Sequence, residues 1–196
     1  MATGTLFSSA AFERVVIFFL VHPDAALHVR SLQRQLGLGM RSLQAELARL
    51  VQRGLLDVRR EGNRSVFRIN AGHPGWNALR AMVRNFGDPA QVVHVALSTV
   101  PGIDAAFVFG STARGEATPE SDVDLLVVGD GIPSRELGRS TQESSAVIGR
   151  DVNVARYTPG ELAQDLARGD SFLRSVLRGP KLWVAGDQRT LDSLAA

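Results

Sequence analysis

The sequence predicts an α+β protein made of two small domains joined by a helical linker. Its 196 residues suffice for one ordinary domain or two small ones. Helical patterns and then a strand pair fill the first half, whereas short apolar runs alternate with helical patterns in the second. Residues 1–86 carry twelve arginines against five acids, a net charge of +7, and residues 87–196 carry a net charge of −5. We therefore expect domains at 1–72 and 101–196, a linker at 73–100, and different partners for the two domains.

The composition excludes several classes of protein. Hydrophobic residues make up 44% of the chain and charged residues 21%, which is typical of a globular protein. The longest apolar run, Val15–Val21, covers only about a third of a membrane span, so no membrane association is expected. The chain has no cysteine, which excludes a disulfide framework and a thiolate zinc site. We expect a cytoplasmic protein.

Three helices are predicted in the first domain. The first covers Ala11–Val21 and is apolar on most sides, so it should be buried. The second covers Leu27–Leu36, and the third covers Met40–Gln52. One face of the third helix is apolar because leucines recur there at helical spacing, at positions Leu43, Leu47 and Leu50.

A basic β-hairpin is predicted after the third helix. Leu55–Arg60 leads through the turn Glu61-Gly62-Asn63 into the alternating segment Arg64–Ile69. Three helices followed by a basic hairpin resemble a winged helix-turn-helix domain, over roughly Ala11 to Asn70. The resemblance implies binding of double-stranded DNA, although winged helices also serve as protein-interaction modules.

In a winged helix-turn-helix domain, the third helix enters the major groove and the hairpin contacts phosphates or the minor groove. Gln and Arg side chains can read adenine and guanine there. The expected DNA-binding residues are Met40, Arg41, Ser42, Gln44 and Ala45 on the helix and Arg59, Arg60 and Arg64 on the hairpin. A homodimer is expected, because such proteins usually meet two-fold operators as dimers.

The linker and the second domain are predicted from apolar runs and breakers. Helices are expected at Trp76–Phe86 and Pro89–Val100 in the linker. Buried strands are expected at Ala105–Phe109 and Val123–Val128, with a further strand at Asp151–Arg156. The helices predicted between and after these strands are Arg135–Ile148, Pro159–Arg168 and Ser171–Leu177.

Two aspartates and a Gly-Ser pair suggest chemistry in the second domain. Asp122 and Asp124 flank Val123 at the start of a strand, so their carboxylates should share one face a few ångströms apart. Carboxylates so close repel each other, and Mg2+ or Mn2+ relieves the repulsion while binding phosphate oxygens. A Gly110-Ser111 turn allows backbone N–H groups and a hydroxyl to approach a phosphate. Together these residues predict a site for a metal ion and a nucleoside triphosphate.

These residues also resemble a known signature. GSTARGE, from Gly110 to Glu116, followed by SDVDL at 121–125, is similar to the motif of the nucleotidyltransferase superfamily that includes DNA polymerase beta. The resemblance implies a small α/β domain with a mixed sheet, metal ions on Asp122 and Asp124, and in-line transfer of a nucleoside monophosphate. It also implies that Arg114 lies near the phosphates or braces the loop through Glu116.

A third carboxylate of the superfamily is missing at its expected place. On the strand 151–156, the aligned position holds Asn153, and an amide is neither a base nor a strong metal ligand. Asp151 lies on the same face and would substitute only if the strand were shifted. The tail from GRDVN onward resembles a bacterial family in which a winged helix precedes a minimal nucleotidyltransferase domain and asparagine takes this position.

Two functions are compatible with these residues. The favoured interpretation is a DNA-binding transcriptional regulator whose second domain binds a metal-nucleotide as a sensor or a slow enzyme. The alternative is an active Mg2+-dependent nucleotidyltransferase that modifies a nucleic acid or a protein, with a toxin as a further candidate partner. The two differ in whether Asn153 or Asp151 faces the metal ions.

Overall fold

The strands form two separate sheets, one in each of two units, Met1–Thr99 and Val100–Ala196. The computed structural model describes Phe7 and residues 9–195. Within these residues, no helix has both the length and the apolar character needed to span a membrane.

The first unit begins with a buried helix and contains an antiparallel sheet in the order β1-β3-β2. Most of the first helix is inaccessible to solvent, as its apolar sequence predicts. The hairpin is confirmed: β2 and β3 pair around a turn in which Gly62 has a φ of +60°. The elements are α1 (Ala10–Val21), β1 (Ala26–His28), α2 (Val29–Leu36), α3 (Met40–Gln52), β2 (Leu56–Glu61) and β3 (Arg64–Ile69).

The helix predicted at Leu27–Leu36 is wrong at its beginning. Leu27 pairs with Phe67 of β3, and His28 pairs with Val66, so these residues extend the sheet. Helix α2 therefore begins only at Val29. Pairing with a strand about 40 residues later is a tertiary effect, which a local helical pattern does not reveal.

Residues 73–100, which we expected to form a linker, contain two helices that pack within the first unit. They are α4 (Gly75–Phe86) and α5 (Pro89–Leu97). The indole N–H of Trp76 donates a 2.8 Å hydrogen bond to the carbonyl of Leu55, and its ring packs near that of Phe19. Helix α5 packs against α1. The structure therefore includes both helices in the first unit, up to Thr99.

The second unit is built on a four-stranded sheet in the order β6-β5-β4-β7. Strands β5 and β6 are parallel, whereas β4 is antiparallel to both β5 and β7, which makes the sheet mixed as predicted. Sequence analysis did not predict α6, β7 or α10. The elements are β4 (Ala105–Phe109), α6 (Gly110–Arg114), β5 (Val123–Val128), α7 (Ser134–Ile148), β6 (Val152–Tyr157), α8 (Pro159–Ala167), α9 (Ser171–Arg178), β7 (Leu182–Ala185) and α10 (Gln188–Leu194).

One face of this sheet packs against α8, α9 and α10. Phe107 and Leu126 of the sheet belong to one buried cluster with side chains from the three helices, namely Leu162, Leu173, Val176 and Leu191. Side chains two residues apart in a strand point to the same face. Phe109 and Asp124 therefore continue this face to one end of the central strands β4 and β5. The apolar core therefore ends in a polar position at Asp124.

Candidate active site

Three strand ends meet where this apolar face ends. Phe109, the last residue of β4, pairs with Asp124 of β5, and Asp124 pairs with Asn153 of β6. Residues in register on neighbouring strands project on the same side of a sheet. The strand pairing therefore brings Asp124 and Asn153 side by side.

Gly110 follows β4 and comes close to the carboxylate of Asp124. Its φ is +70°, a region that favours glycine, and a Cβ atom at this position would overlap Oδ2 of Asp124. The predicted Gly110-Ser111 turn is instead the start of the short helix α6. The half-buried hydroxyl of Ser111 makes no hydrogen bond within the described residues, so it is free to donate to a ligand.

Asn153 occupies the third position of the site. Its Nδ2 donates a 3.0 Å hydrogen bond to Oδ2 of Asp122, which lies one residue before β5. The exposed carboxylate of Asp151 makes no hydrogen bond or ion pair in the described part of the chain, although the Asp151 carbonyl accepts from the N–H of Val123. The strand is not shifted, so the structure places Asn153 rather than Asp151 beside the aspartate pair.

The carboxyl group of Asp124 has a raised pKa. Burial raises the pKa of Asp124, the negative charge of Asp122 raises it further, and Arg114 lowers it. A raised carboxyl pKa means that the ionised form is disfavoured, and a bound cation would reverse this effect. The electrostatics therefore favour a cation at Asp122 and Asp124.

The donor set fits Mg2+ better than a metal held wholly by protein. Across the described residues, no three or more His, Cys, Asp or Glu side chains cluster as a metal site. Mg2+ is commonly bound through one or two carboxylates together with substrate phosphates and water. Asp122 and Asp124 would hold such an ion, while Asn153 fixes the orientation of Asp122.

Arg114 contacts the loop that follows it. Its Nε donates to Oε2 of Glu116 at 2.6 Å, and both side chains are exposed. The expected brace with Glu116 is therefore present. The positive charge of Arg114 also acts on Asp124, which places this arginine within electrostatic range of the site.

Arg150, which sequence analysis did not single out, connects the parts of the site. Its Nη2 donates to Oγ1 of Thr112 at 2.9 Å and to the carbonyl of Asp122 at 3.1 Å. Its Nε donates to the carbonyl of Ser121. One guanidinium thus joins α6 to the backbone that carries Asp122. The only sequence signal for Arg150 is its place before β6, in GRDVN.

The residues predicted to contact DNA lie on two elements of the first unit. Those on α3 are exposed except for Met40, which is half-buried, while the leucines on the opposite face are buried. The hairpin arginines are all exposed. The exposed residues are Arg41, Ser42, Gln44 and Ala45 on α3 and Arg59, Arg60 and Arg64 on the hairpin.

Comparisons with known proteins support the nucleotidyltransferase superfamily for the region that contains the site. Residues 94–174 match a family described as "Nucleotidyltransferase domain". The Methanocaldococcus jannaschii protein named "Putative protein adenylyltransferase MJ0435" is 40% identical over 57 residues, which are 29% of this chain and 61% of that protein. The chain thus spans about three fifths of the length of this curated relative.

Two solved structures are also similar to this chain. One is described as "Crystal structure of the toxin-antitoxin with AMP-PNP", with a TM-score of 0.36, 16% identity, and coverage of 51% of this chain and 75% of that chain. The other is described as "Crystal structure the toxin-antitoxin MntA-HpeT mutant-D39ED41E", with a TM-score of 0.38, 13% identity, and coverage of 54% and 80% respectively.

We predict that Asp124→Asn raises the melting temperature at neutral pH when EDTA removes divalent cations. The pKa of Asp124 is higher in the folded protein than in the unfolded chain. The protonated carboxyl group therefore adds its full contribution to folding stability only at a pH below the pKa of the unfolded chain. That effect is lost as the pH rises through the folded pKa. Asparagine does not ionise, so Asp124→Asn lacks this loss of stability at neutral pH. The difference in melting temperature between Asp124→Asn and wild type should therefore shrink in acid. Thermal unfolding across pH measures it, with the exposed Glu120→Gln as control. A lower melting temperature for Asp124→Asn at neutral pH would contradict this account.

We predict that Arg150→Ala accelerates amide hydrogen exchange in residues 115–122 by about tenfold or more. The Arg150 guanidinium donates hydrogen bonds to the carbonyls of Ser121 and Asp122. Hydrogen bonds to a charged group contribute roughly 1.5–3 kcal/mol each, so these bonds oppose local opening of the segment. Arg150→Lys should be intermediate, because an ammonium group lacks the planar fork that spans several acceptors. Arg156→Ala is the control, since Arg156 donates to Ser134 instead. Exchange is measured by mass spectrometry. An unchanged exchange rate in Arg150→Ala would show that Arg150 does not stabilise residues 115–122.

Proposed function

We propose that the second unit is an active, metal-dependent nucleotidyltransferase that transfers a nucleoside monophosphate to an acceptor hydroxyl. The acceptor oxygen forms a bond to the α-phosphorus of the triphosphate while the bond from that phosphorus to the β-phosphate oxygen breaks, so pyrophosphate leaves and the hydroxyl proton passes to solvent. The observation that carries this proposal is that Asp122, Asp124 and Gly110 lie close together at one end of the central strands. The family match and the 40% identical relative also support a transferase. These findings favour the alternative function from the sequence over a regulator that uses the site only as a sensor.

ATP and a protein hydroxyl are the substrates that we propose. The relative from M. jannaschii is named as a protein adenylyltransferase, which supports transfer of AMP to protein. The acceptor is either this chain itself or a partner protein, and a toxin remains a candidate partner from the family resemblance. A nucleic acid is the competing class of acceptor. Label transferred from the α-phosphate of ATP in whole extracts distinguishes the two classes, because it is recovered either in protein or in nucleic acid.

Each residue of the site has a role in such a transfer. Mg2+ bound to Asp122 and Asp124 would neutralise the charge that develops on the phosphoryl oxygens. Ser111 offers a hydroxyl donor to the triphosphate, and Gly110 leaves room for Asp124. Asn153 has no basic atom to accept the acceptor's proton, so its part is to hold Asp122 in place. Without a third carboxylate, transfer should be slower than at a site that has one.

We predict that Asp122→Asn and Asp124→Asn each reduce Mg2+-dependent transfer from ATP at least roughly 100-fold. A metal ion contributes several kcal/mol of charge stabilisation, and either change removes one of its ligands. Asp151→Asn should retain transfer, because the Asp151 carboxylate contacts neither aspartate. The measurement combines calorimetric titration with ATP and transfer of label from the α-phosphate into protein or nucleic acid.

The proposal fails if the wild-type protein neither binds ATP with Mg2+ nor labels any acceptor. Loss of transfer in Asp151→Asn, with transfer retained in Asp122→Asn, would instead mean that the wrong carboxylates have been assigned. Titrations with GTP, CTP and UTP then identify the preferred nucleotide.

A second function is supported by the first unit. We propose that α3 and the hairpin bind double-stranded DNA, with α3 in the major groove. The support is that arginines and polar residues occupy the exposed side of α3 and the hairpin, whereas leucines fill the buried side of α3. The net charge of +7 over residues 1–86 adds attraction to phosphates. Homodimerisation on a two-fold operator remains part of this proposal.

We predict that Arg41→Ala weakens binding unequally across DNA sequences, by about 1–3 kcal/mol on the preferred one. Arg60→Ala should weaken binding about uniformly and reduce the salt slope by roughly one, because it removes a phosphate contact. Arg189→Ala, at an exposed position of the second unit, is the control for the loss of one positive charge. Fluorescence anisotropy over a salt series measures these effects. Equal behaviour of Arg41→Ala and Arg60→Ala would mean that α3 does not read bases.

A further inference from the structure

Phe172 is an exposed aromatic residue at the start of α9. Its exposed fraction of 49% is the highest of the large hydrophobic side chains among the described residues of the second unit. Its neighbour Leu173 is fully buried, and Val176 is buried one turn later, so α9 is firmly anchored in the core. Single exposed hydrophobic residues are common, so the meaning of Phe172 depends on where its ring lies.

The Phe172 ring lies beside the candidate active site. Its centroid is 5.9 Å from that of Phe109, with the two planes at 72°. Phe109 directly precedes Gly110 and pairs across the sheet with Asp124. Phe109 in turn contacts the buried Phe107 at 6.4 Å. Three rings thus form a row from the buried Phe107 to the exposed Phe172, and the middle ring belongs to the residue that pairs with Asp124.

The part of a nucleotide that still lacks a partner is its base. In the proposed function the triphosphate occupies Gly110, Ser111, Asp122 and Asp124, and none of these residues offers a flat apolar surface. Aromatic side chains bind bases by stacking, and every base has a π face. The ring row is fixed by the core, so little side-chain freedom is lost when a base stacks on its outer end.

We propose that Phe172, supported by Phe109, is the stacking surface for the base of the bound nucleoside triphosphate. A purine suits this surface best, because its larger π system covers more of an exposed ring. This inference rests on the proposed function for the position of the triphosphate. It adds a binding subsite formed by α9, which lies outside the GSTARGE and SDVDL segments.

The test compares a ligand that has a base with one that lacks it. Wild-type protein, Phe172→Ala, Phe172→Leu and Phe172→Trp are titrated calorimetrically with Mg2+ and either ATP or inorganic triphosphate. We expect Phe172→Ala and Phe172→Leu to weaken ATP binding about tenfold and to leave triphosphate binding unchanged. Phe172→Trp should restore ATP binding. Phe86→Ala, which removes a ring that is 74% exposed on α4, should leave both ligands unaffected.

Each other outcome overturns the inference in a distinguishable way. Equal weakening of ATP and triphosphate would show that Phe172 supports the phosphate site rather than the base. Full retention of ATP binding in Phe172→Leu would indicate a general apolar contact, such as one with a partner protein. Wild-type binding of triphosphate and ATP with equal affinity would exclude a base subsite but keep the proposed function. Binding of neither ligand would overturn both.

Discussion

The close approach of Gly110 to the Asp124 carboxylate is the constraint on which the second unit's site depends. Only a glycine combines the positive φ with the space that Asp124 occupies. This approach brings the start of α6 against the strand that carries the aspartates. It also half-buries Asp124 next to Asp122, which raises the pKa of Asp124. Strand register, backbone conformation and electrostatics thus favour a cation at the same point.

Asn153 changes the balance of charge at this point. A carboxylate here would be a third negative group beside Asp122 and Asp124, and each further like charge makes ionisation of the others harder. The amide instead donates a hydrogen bond to Asp122, which orients that carboxylate without adding charge. Without a metal ion, the site therefore has less repulsion between negative charges than it would have with a third carboxylate. It also has no third carboxylate to accept a proton. In the transfer that we propose, the missing carboxylate would make the reaction slower.

Local patterns in the sequence predict the aspartate pair, because strand alternation alone places Asp122 and Asp124 on one face. They also predict the boundaries of β4 and β5, since short apolar runs between breakers are clear signals. Contacts between distant segments are not predictable in this way. Arg150 reaches Thr112 across 38 positions, and Phe172 meets Phe109 across a core that only the folded chain assembles. The strand at Ala26–His28 likewise exists because β3 pairs with it.

The most direct test of the central claim is Mn2+ binding followed by electron paramagnetic resonance, with and without a non-hydrolysable ATP analogue. Mn2+ replaces Mg2+ at oxygen sites and reports free and bound ion separately. The account predicts that wild-type protein binds Mn2+ more tightly with the analogue, and that Asp124→Asn loses most of this binding. Equal Mn2+ binding by the wild type and Asp124→Asn, with the analogue present, would contradict a metal-nucleotide site at these aspartates.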